Sequence, residues 1–204
     1  MGLTLNTNSL AVASSGSSSA ASGVSTSDVT TLIKNNTPYQ FISKVYIPAS
    51  VSTIDCSSVF SASDGFSTYH IVFDRITTAA NESYFQIRLE IGGSFITSEY
   101  GYSGARGYGN NNFYYETSDS RWRVTNSDFS QGLTGYINIS KTESGVKTIS
   151  SWNIGGGGGT RNGTFSVGAG SNSNTGECTG FQFKTASNDF TAGGNIRIYG
   201  VNNV

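Results

Sequence analysis

Charge is scarce in this sequence. Only 12% of the 204 residues are Asp, Glu, Lys or Arg, about half the share usual in globular proteins. The 12 basic and 13 acidic side chains leave a formal net charge of −1. There is no basic field to recruit nucleic acid and no acidic field to recruit a basic partner. The polar surface must therefore come from Ser, Thr, Asn and Gly.

Long hydrophobic runs are also missing. No stretch approaches the roughly 20 apolar residues that span a bilayer. The opening segment MGLTLNTNSLAVASS has neither the basic start nor the continuous apolar stretch of a signal peptide. We therefore expect a soluble protein that is made in a cytoplasm and has no membrane partner.

The residues that carry most catalytic and metal chemistry are rare. His70 is the single histidine, so neither a Ser–His–Asp triad nor a site with several histidine ligands can be assigned. We interpret it as a strand histidine with a structural hydrogen bond. The acidic residues are scattered, one to a turn or strand. The sequence predicts no enzyme, no catalytic residue, no cofactor and no metal.

Cysteine and glycine patterns add no chemistry. Cys56 and Cys178 belong to no ligand cluster and are interpreted as reduced thiols in or near the core. A disulfide between them would require neighbouring strands. The run Gly155–Gly159 lacks the Gly-Lys-Ser/Thr ending and the following helix of a phosphate loop. We interpret it as a mobile or specially shaped loop that leads into a turn at 160–163.

What the sequence does contain is aromatic, β-branched and glycine residues with a period of two. In Tyr84–Ile91 the apolar side chains alternate with Gln86, Arg88 and Glu90. In Tyr69–Phe73, His70 and Val72 share the face opposite the other three residues. Twelve strands are predicted: Tyr39–Ile47, Ser52–Val59, Tyr69–Ile76, Tyr84–Ile91, Phe95–Tyr102, Phe113–Glu116, Arg121–Thr125, Gly135–Lys141, Lys147–Ile154, Gly163–Val167, Gly180–Thr185 and Asn195–Val201.

Strands at this spacing, with glycine-rich turns between them, favour an all-β fold. We predict an antiparallel β-sandwich of jelly-roll type over residues 39–204. Residues 1–38 are predicted to form an extended N-terminal arm and one short helix. That helix, Ser27–Lys34, has a capping Ser27 or Asp28 and one apolar face.

The arm is a low-complexity segment of Ser, Ala and Gly between Gly2 and Thr26. Such residues bury too little apolar surface to offset the cost of ordering them, about 1–2 kcal/mol each. We therefore expect the arm to borrow contacts from another subunit, along which it would lie extended. Its predicted anchors are the large apolar residues of its first half, Leu3, Leu5, Leu10 and Val12.

One aromatic stretch has the composition of a binding loop. Between Tyr100 and Tyr115, aromatic residues alternate with Gly, Ser and Asn, a mixture that gives rigid contact area with adaptable hydrogen bonding. Three interpretations remain open: a subunit interface, ordinary packing at a sandwich edge, and a glycan-binding loop. The candidate residues are Tyr100, Tyr102, Arg106, Tyr108, Tyr114 and Tyr115.

Several segments resemble a known group of proteins. They are the Ser/Gly-rich arm, Asp28-Val-Thr-Thr-Leu-Ile followed by Tyr39-Gln-Phe-Ile-Ser-Lys44, Tyr69–Phe73, Gly180-Phe-Gln-Phe-Lys184 and Phe190–Gly200, which ends Gly-Asn-Ile-Arg-Ile-Tyr-Gly. Together they resemble virion structural proteins of tailed phages, notably those that infect marine bacteria and cyanobacteria. The resemblance implies a jelly-roll component of a virus particle and carries no catalytic motif.

Two functions follow as expectations. The first is a non-enzymatic capsid decoration (cement) protein, a homo-oligomer that is anchored to the major capsid protein by its arm. The alternative is a tail-fibre or appendage module that contacts tail proteins and binds host-surface glycans. A glycan-degrading enzyme is the third class. In the first two cases the protein would be located in the virion.

Overall fold

The structure is a computed structural model, and it describes residues 37–79, 85–108, 110–125, 129–140, 145–158, 161–186 and 188–202. These residues are mostly strand, which confirms the predicted all-β class. The arm with Leu3, Leu5, Leu10 and Val12, and the predicted helix Ser27–Lys34, lie outside the described residues. The strands are β1 (Tyr39–Tyr46), β2 (Thr53–Cys56), β3 (Thr68–Ile76), β4 (Phe85–Ile91), β5 (Ser94–Phe95), β6 (Tyr100–Tyr108), β7 (Asn110–Asp119), β8 (Trp122–Thr125), β9 (Gly132–Ser140), β10 (Thr148–Gly158), β11 (Arg161–Asn172), β12 (Cys178–Thr185) and β13 (Asn195–Val201).

The strands form two antiparallel sheets. The long sheet has eight strands in the order β1-β13-β3-β9-β10-β11-β6-β7. The short sheet has the order β2-β12-β4-β5, and β8 also pairs with β4. The described residues from Tyr39 onward make up one compact unit.

The connections follow a jelly roll with two insertions. Eight strands form four antiparallel pairs that are nested along the chain. The pairs β1 with β13 and β3 with β9 lie in the long sheet, and the pairs β2 with β12 and β4 with β8 lie in the short sheet. This nesting of eight strands is the jelly-roll pattern, and it confirms the predicted sandwich. Strands β5–β7 are inserted between β4 and β8, and β10–β11 between β9 and β12. Four strands from these insertions widen the long sheet beyond β9, in the order β10, β11, β6 and β7.

The core between the sheets is built mainly from isoleucine and phenylalanine, and the phenylalanine rings contact one another across it. Phe85 and Phe183 of the short sheet stack at a centroid distance of 5.1 Å, and Phe73 of the long sheet meets Phe183 edge-on at 4.9 Å. Phe60 stacks on Tyr69 at 4.1 Å. These side chains are at most 2% exposed, so interdigitation of large rings from both sheets holds the sandwich together.

Three predicted local structures are wrong. Residues 161–163, which the sequence predicts to lie in a turn at 160–163, begin β11. The predicted strand Phe95–Tyr102 is two strands, because β5 ends at Phe95 and Glu99 adopts a positive φ of 69° just before β6 begins. The glycine run is not a loop, because residues 155–158 continue β10. Gly157 pairs with Gly132 of β9, and Gly156 pairs with Thr164 of β11.

Both cysteines are buried thiols, and they lie on the neighbouring strands β2 and β12. Burial raises the pKa of the Cys56 thiol to about 12, and the Asp55 carboxylate adds to that shift. A thiol with so high a pKa is protonated at neutral pH and is a poor nucleophile. Cys56 therefore acts as a small core side chain.

Glycine allows the inserted strands to approach the core. A Cβ added to Gly170 of β11 would lie 2.5 Å from Nε1 of Trp122, whose side chain is fully buried. We expect Gly170→Ala to lower the free energy of unfolding by about 1–3 kcal/mol through overpacking. Gly101→Ala is the matched control, because its Cβ would meet its nearest atom at 3.7 Å, an ordinary contact. Urea unfolding of both variants measures the effect, and equal stabilities would contradict it.

Candidate functional site

The aromatic stretch forms a hairpin, not a loop, at the far edge of the long sheet. Strand β6 pairs with β11 on one side and with β7 on the other. Alternation along the two strands sorts the side chains into two sets. Tyr100, Tyr102 and Tyr114 face the core side, and Tyr115 faces outward. The side chain of Tyr108 lies outside the described residues.

The core-side tyrosines are structural. Tyr100 is fully buried, and its hydroxyl accepts a hydrogen bond from the Leu89 amide at 2.7 Å and donates to the Ile96 carbonyl at 3.2 Å. Its ring meets Trp122 edge-on at 5.4 Å. Burial raises the pKa of both Tyr100 and Tyr102. These residues join the hairpin to the jelly roll and are not available to a ligand.

Arg106 and Tyr114 form a second structural pair on the core side. The Arg106 guanidinium lies 5.0 Å from the centre of the Tyr114 ring, a cation–π contact. The Tyr114 hydroxyl is 3.0 Å from the Ser166 hydroxyl of β11. The ring lies so close to Gly104 that a Cβ there would be 2.7 Å from the hydroxyl. Tyr114 is thus packed across β6, not directed at solvent.

Among the described side chains of the hairpin, the aromatic ones exposed to solvent are Phe113 and Tyr115. Phe113 is 89% exposed and Tyr115 is 78% exposed, large fractions for residues of this size. They stand next to each other on the outer face of β7, two residues apart. Phe113 was not among the predicted site residues. The alternation of Phe113-Tyr114-Tyr115 puts the two on one face, but the sequence does not say which face is outward.

Two shallow grooves flank Tyr115. One has a volume of about 550 Å³ and lies between Phe113 and Tyr115, over Ser103, Ala105 and Ala169. The other, of about 450 Å³, lies on the opposite side of Tyr115, over residues that include Gly101 and Ser171. We call these two spaces together the groove.

The groove exists because its floor is made of small side chains. The outward positions of β6 are Gly101, Ser103, Ala105 and Gly107, and β11 contributes Ala169 and Ser171. None of these rises far above the sheet, so the rings of Phe113 and Tyr115 form a wall beside a flat, uncharged floor. Such a shape accepts a flat ligand against the aromatic wall.

Charged groups hold the hairpin at its base. Asp119 accepts hydrogen bonds from the Tyr102 hydroxyl at 2.9 Å and the Ser120 amide at 2.6 Å, and Arg123 lies 3.1 Å from it. Burial alone would raise the pKa of the Asp119 carboxyl, but these hydrogen bonds and the Arg123 charge together lower it. Asp119 thus ties the end of β7 to the start of β6 and to β8.

A second aromatic group lies on the outer face at the other end of the long sheet. His70 is 5.0 Å from the ring centres of both Tyr39 and Tyr136, and 6.4 Å from that of Tyr199. We call these four residues the His70 cluster. His70 Nδ1 lies 2.7 Å from Asn138 Oδ1 on the next strand. This hydrogen bond agrees with the structural role predicted for His70.

Metal-ligand clusters and membrane-spanning helices are both absent from the described residues. Among them, no three His, Cys, Asp or Glu side chains are grouped so that they could hold a metal ion. Within the same ranges, no helix is long and apolar enough to cross a membrane. Glu116 is the one acidic residue among those lining the groove, whereas most glycosidases use a pair of carboxylates.

Comparisons with known proteins add no assignment. No protein-family model matches the chain, and no curated protein or solved structure is significantly similar to it. The groove is therefore the feature from which a function can be inferred.

Asp119 should make the stability of the hairpin depend on pH. Its pKa is lowered in the folded protein, so its contribution is present above the unfolded value of about 3.9 and is lost as the pH falls through the folded value. We expect Asp119→Asn to be less stable than the original protein at pH 7, with a difference that shrinks towards pH 3. Urea unfolding across this range measures it, with Asp189→Asn at an exposed position as control. A difference that stays constant with pH would contradict this role.

Proposed function

We propose that the protein is a non-enzymatic binding component of a phage particle and that it holds a neutral host-surface glycan in the groove. The observation that carries this proposal is the pair Phe113 and Tyr115, 89% and 78% exposed beside a floor of small residues. Exposed aromatic surface of this kind usually marks a contact site.

Sugar rings fit such a wall. A pyranose has an apolar face of C–H groups that stacks on an aromatic ring, while its hydroxyls need hydrogen-bonding partners at the sides. Tyr115 supplies a ring with a hydroxyl, and Ser103 and Ser171 supply hydroxyls from the floor. The wall belongs to a paired strand and is therefore held in place, so binding costs little ordering entropy.

The glycan should be neutral. The outward positions of β6 and β11 that line the groove are Gly, Ala and Ser, and Glu116 is the single charged residue at its margin. An anionic polysaccharide would find no cation here to replace its counterions. Because Glu116 has no second carboxylate beside it among the lining residues, we propose binding and not hydrolysis.

The phage setting comes from the resemblance of the sequence to tailed-phage virion proteins. Within that setting, a groove for host glycans favours the tail-fibre or appendage role over capsid decoration. The virion location and the contacts with other virion proteins remain predictions. Anchoring through Leu3, Leu5, Leu10 and Val12 also remains a prediction.

Capsid decoration as a homo-oligomer is the second candidate, and one observation favours it. Among the described residues, β7 pairs with β6 alone, so its other edge presents backbone N–H and C=O groups. An edge strand this long, with few charges, can pair with a second copy. In that case Phe113 and Tyr115 would be covered by the neighbouring subunit.

One set of variants distinguishes the two candidates. We expect the full-length protein to bind at least one of three neutral polysaccharides, a soluble β-glucan, a mannan or a galactan, in affinity electrophoresis. Phe113→Ala and Tyr115→Ala should each weaken that binding about tenfold, equivalent to about 1.4 kcal/mol. Tyr115→Phe should keep most of it, because the ring remains.

Tyr46→Ala is the matched control, because Tyr46 is 59% exposed on β1 and is not part of the groove. It should bind as the original protein does, and all variants should melt at similar temperatures. Failure to bind any neutral polysaccharide would contradict the proposal. If Phe113→Ala and Tyr115→Ala instead convert an oligomer into a monomer in sedimentation velocity, the surface is a subunit interface.

A further inference from the structure

We infer that the glycan site extends beyond the groove, across the outer face of the long sheet to the His70 cluster, so that its ligand is an extended polysaccharide chain and not a terminal sugar. This inference rests on the proposed function. It depends on the register of the strands, which places two distant aromatic groups at the ends of one path.

The path follows residues that are direct cross-strand neighbours. From Tyr115 the pairing runs through Ser103, Ala169, Ser151 and Asn138 to His70. A parallel row runs from Phe113 through Ala105, Val167 and Asn153 to Tyr136. Each row therefore begins at the aromatic wall of the groove and ends in the His70 cluster.

In the row that starts at Tyr115, the aromatic side chains at the two ends project further from the sheet than the residues between them. Tyr39 is 50% exposed and Tyr136 is 37% exposed, and both rings lie against the imidazole of His70. Between them and the groove, the row from Tyr115 carries small or short polar side chains. The face is thus a trough with an aromatic stacking surface at each end.

The floor of the trough offers hydrogen bonds without charge. The described outward positions of β9, β10, β11 and β6 include no Asp, Glu, Lys or Arg. The Asn138 amide lies 3.4 Å from the Ser151 hydroxyl and also bonds to His70, which fixes its orientation. The same face also exposes Ile149, Phe165 and Val167 in part. Short polar side chains beside these apolar ones suit a neutral sugar chain, which carries both hydroxyl groups and apolar C–H faces.

The length of the trough suits a polymer. From β7 to β3 the path crosses five strand spacings, about 24 Å in all. One sugar residue lengthens an extended polysaccharide by about as much as one strand spacing, so the trough would hold about five or six residues. The interior backbone groups of this sheet are already paired in its ladders, so an added peptide strand would have no partner on this face.

The test uses oligosaccharides of increasing length, from disaccharide to octasaccharide, prepared from whichever of the β-glucan, mannan or galactan binds. Isothermal titration with the full-length protein should show affinity that rises up to about the hexamer and then levels off. Tyr136→Ala should weaken binding of the hexasaccharide about tenfold and leave the disaccharide unchanged. Tyr115→Ala should weaken both.

Asn153→Ala provides a second variant in the middle of the trough, because Asn153 is exposed and pairs with both Tyr136 and Val167. It should also weaken only the longer ligands, and Tyr46→Ala should change neither. If affinity levels off at the disaccharide, or if Tyr136→Ala and Asn153→Ala bind the hexasaccharide normally, the extended site is wrong while the groove stands. If no oligosaccharide binds, the proposed function fails as well.

Discussion

Packing of two tryptophans against bare glycine backbone is the contact on which the outer face depends. Trp122 packs against Gly170, and Trp152 packs against Gly168. In each pair, a Cβ added to the glycine would lie 2.5 Å from the indole. The Trp122 indole also donates to the Ser171 carbonyl at 3.2 Å. Because β11 is held down at these points, β6 and β7 continue the sheet beyond it. The wall of Phe113 and Tyr115 is therefore attached to a rigid support.

This arrangement explains how a chain with so little charge forms an exposed aromatic groove. The jelly roll buries its large rings between the sheets, and the two insertions widen one sheet without adding a second core. The widened part has glycine on its inner side, where the indoles pack, and Gly, Ser and Ala on its outer side beneath the groove. Small residues thus allow close packing of the indoles on the inner face and leave room for the groove on the outer face.

Much of the fold could be predicted from the sequence, because period-two alternation is strong where one face is buried. The bounds predicted for Asn195–Val201 agree with β13, and the faces predicted for His70 and Val72 are as observed. The register between strands could not be predicted, because it depends on long-range pairing and on conformations such as the positive φ of Glu99. Without the register, the sequence does not distinguish the buried Tyr100 and Tyr102 from the exposed Tyr115, and it does not single out Phe113. The low strand propensity of glycine also predicts a loop at residues 155–158, but pairing with β9 on one side and β11 on the other overrides that propensity.

The proposed function requires that aromatic rings on the outer face of the long sheet contact sugar. Nuclear magnetic resonance of the assigned aromatic C–H groups, during titration with the neutral polysaccharide that binds, tests it most directly. We expect the ring signals of Phe113 and Tyr115 to shift on binding, while those of buried Tyr100 and of Tyr46 on the opposite edge strand stay unchanged. Binding that leaves Phe113 and Tyr115 unshifted, with changes elsewhere, would contradict it.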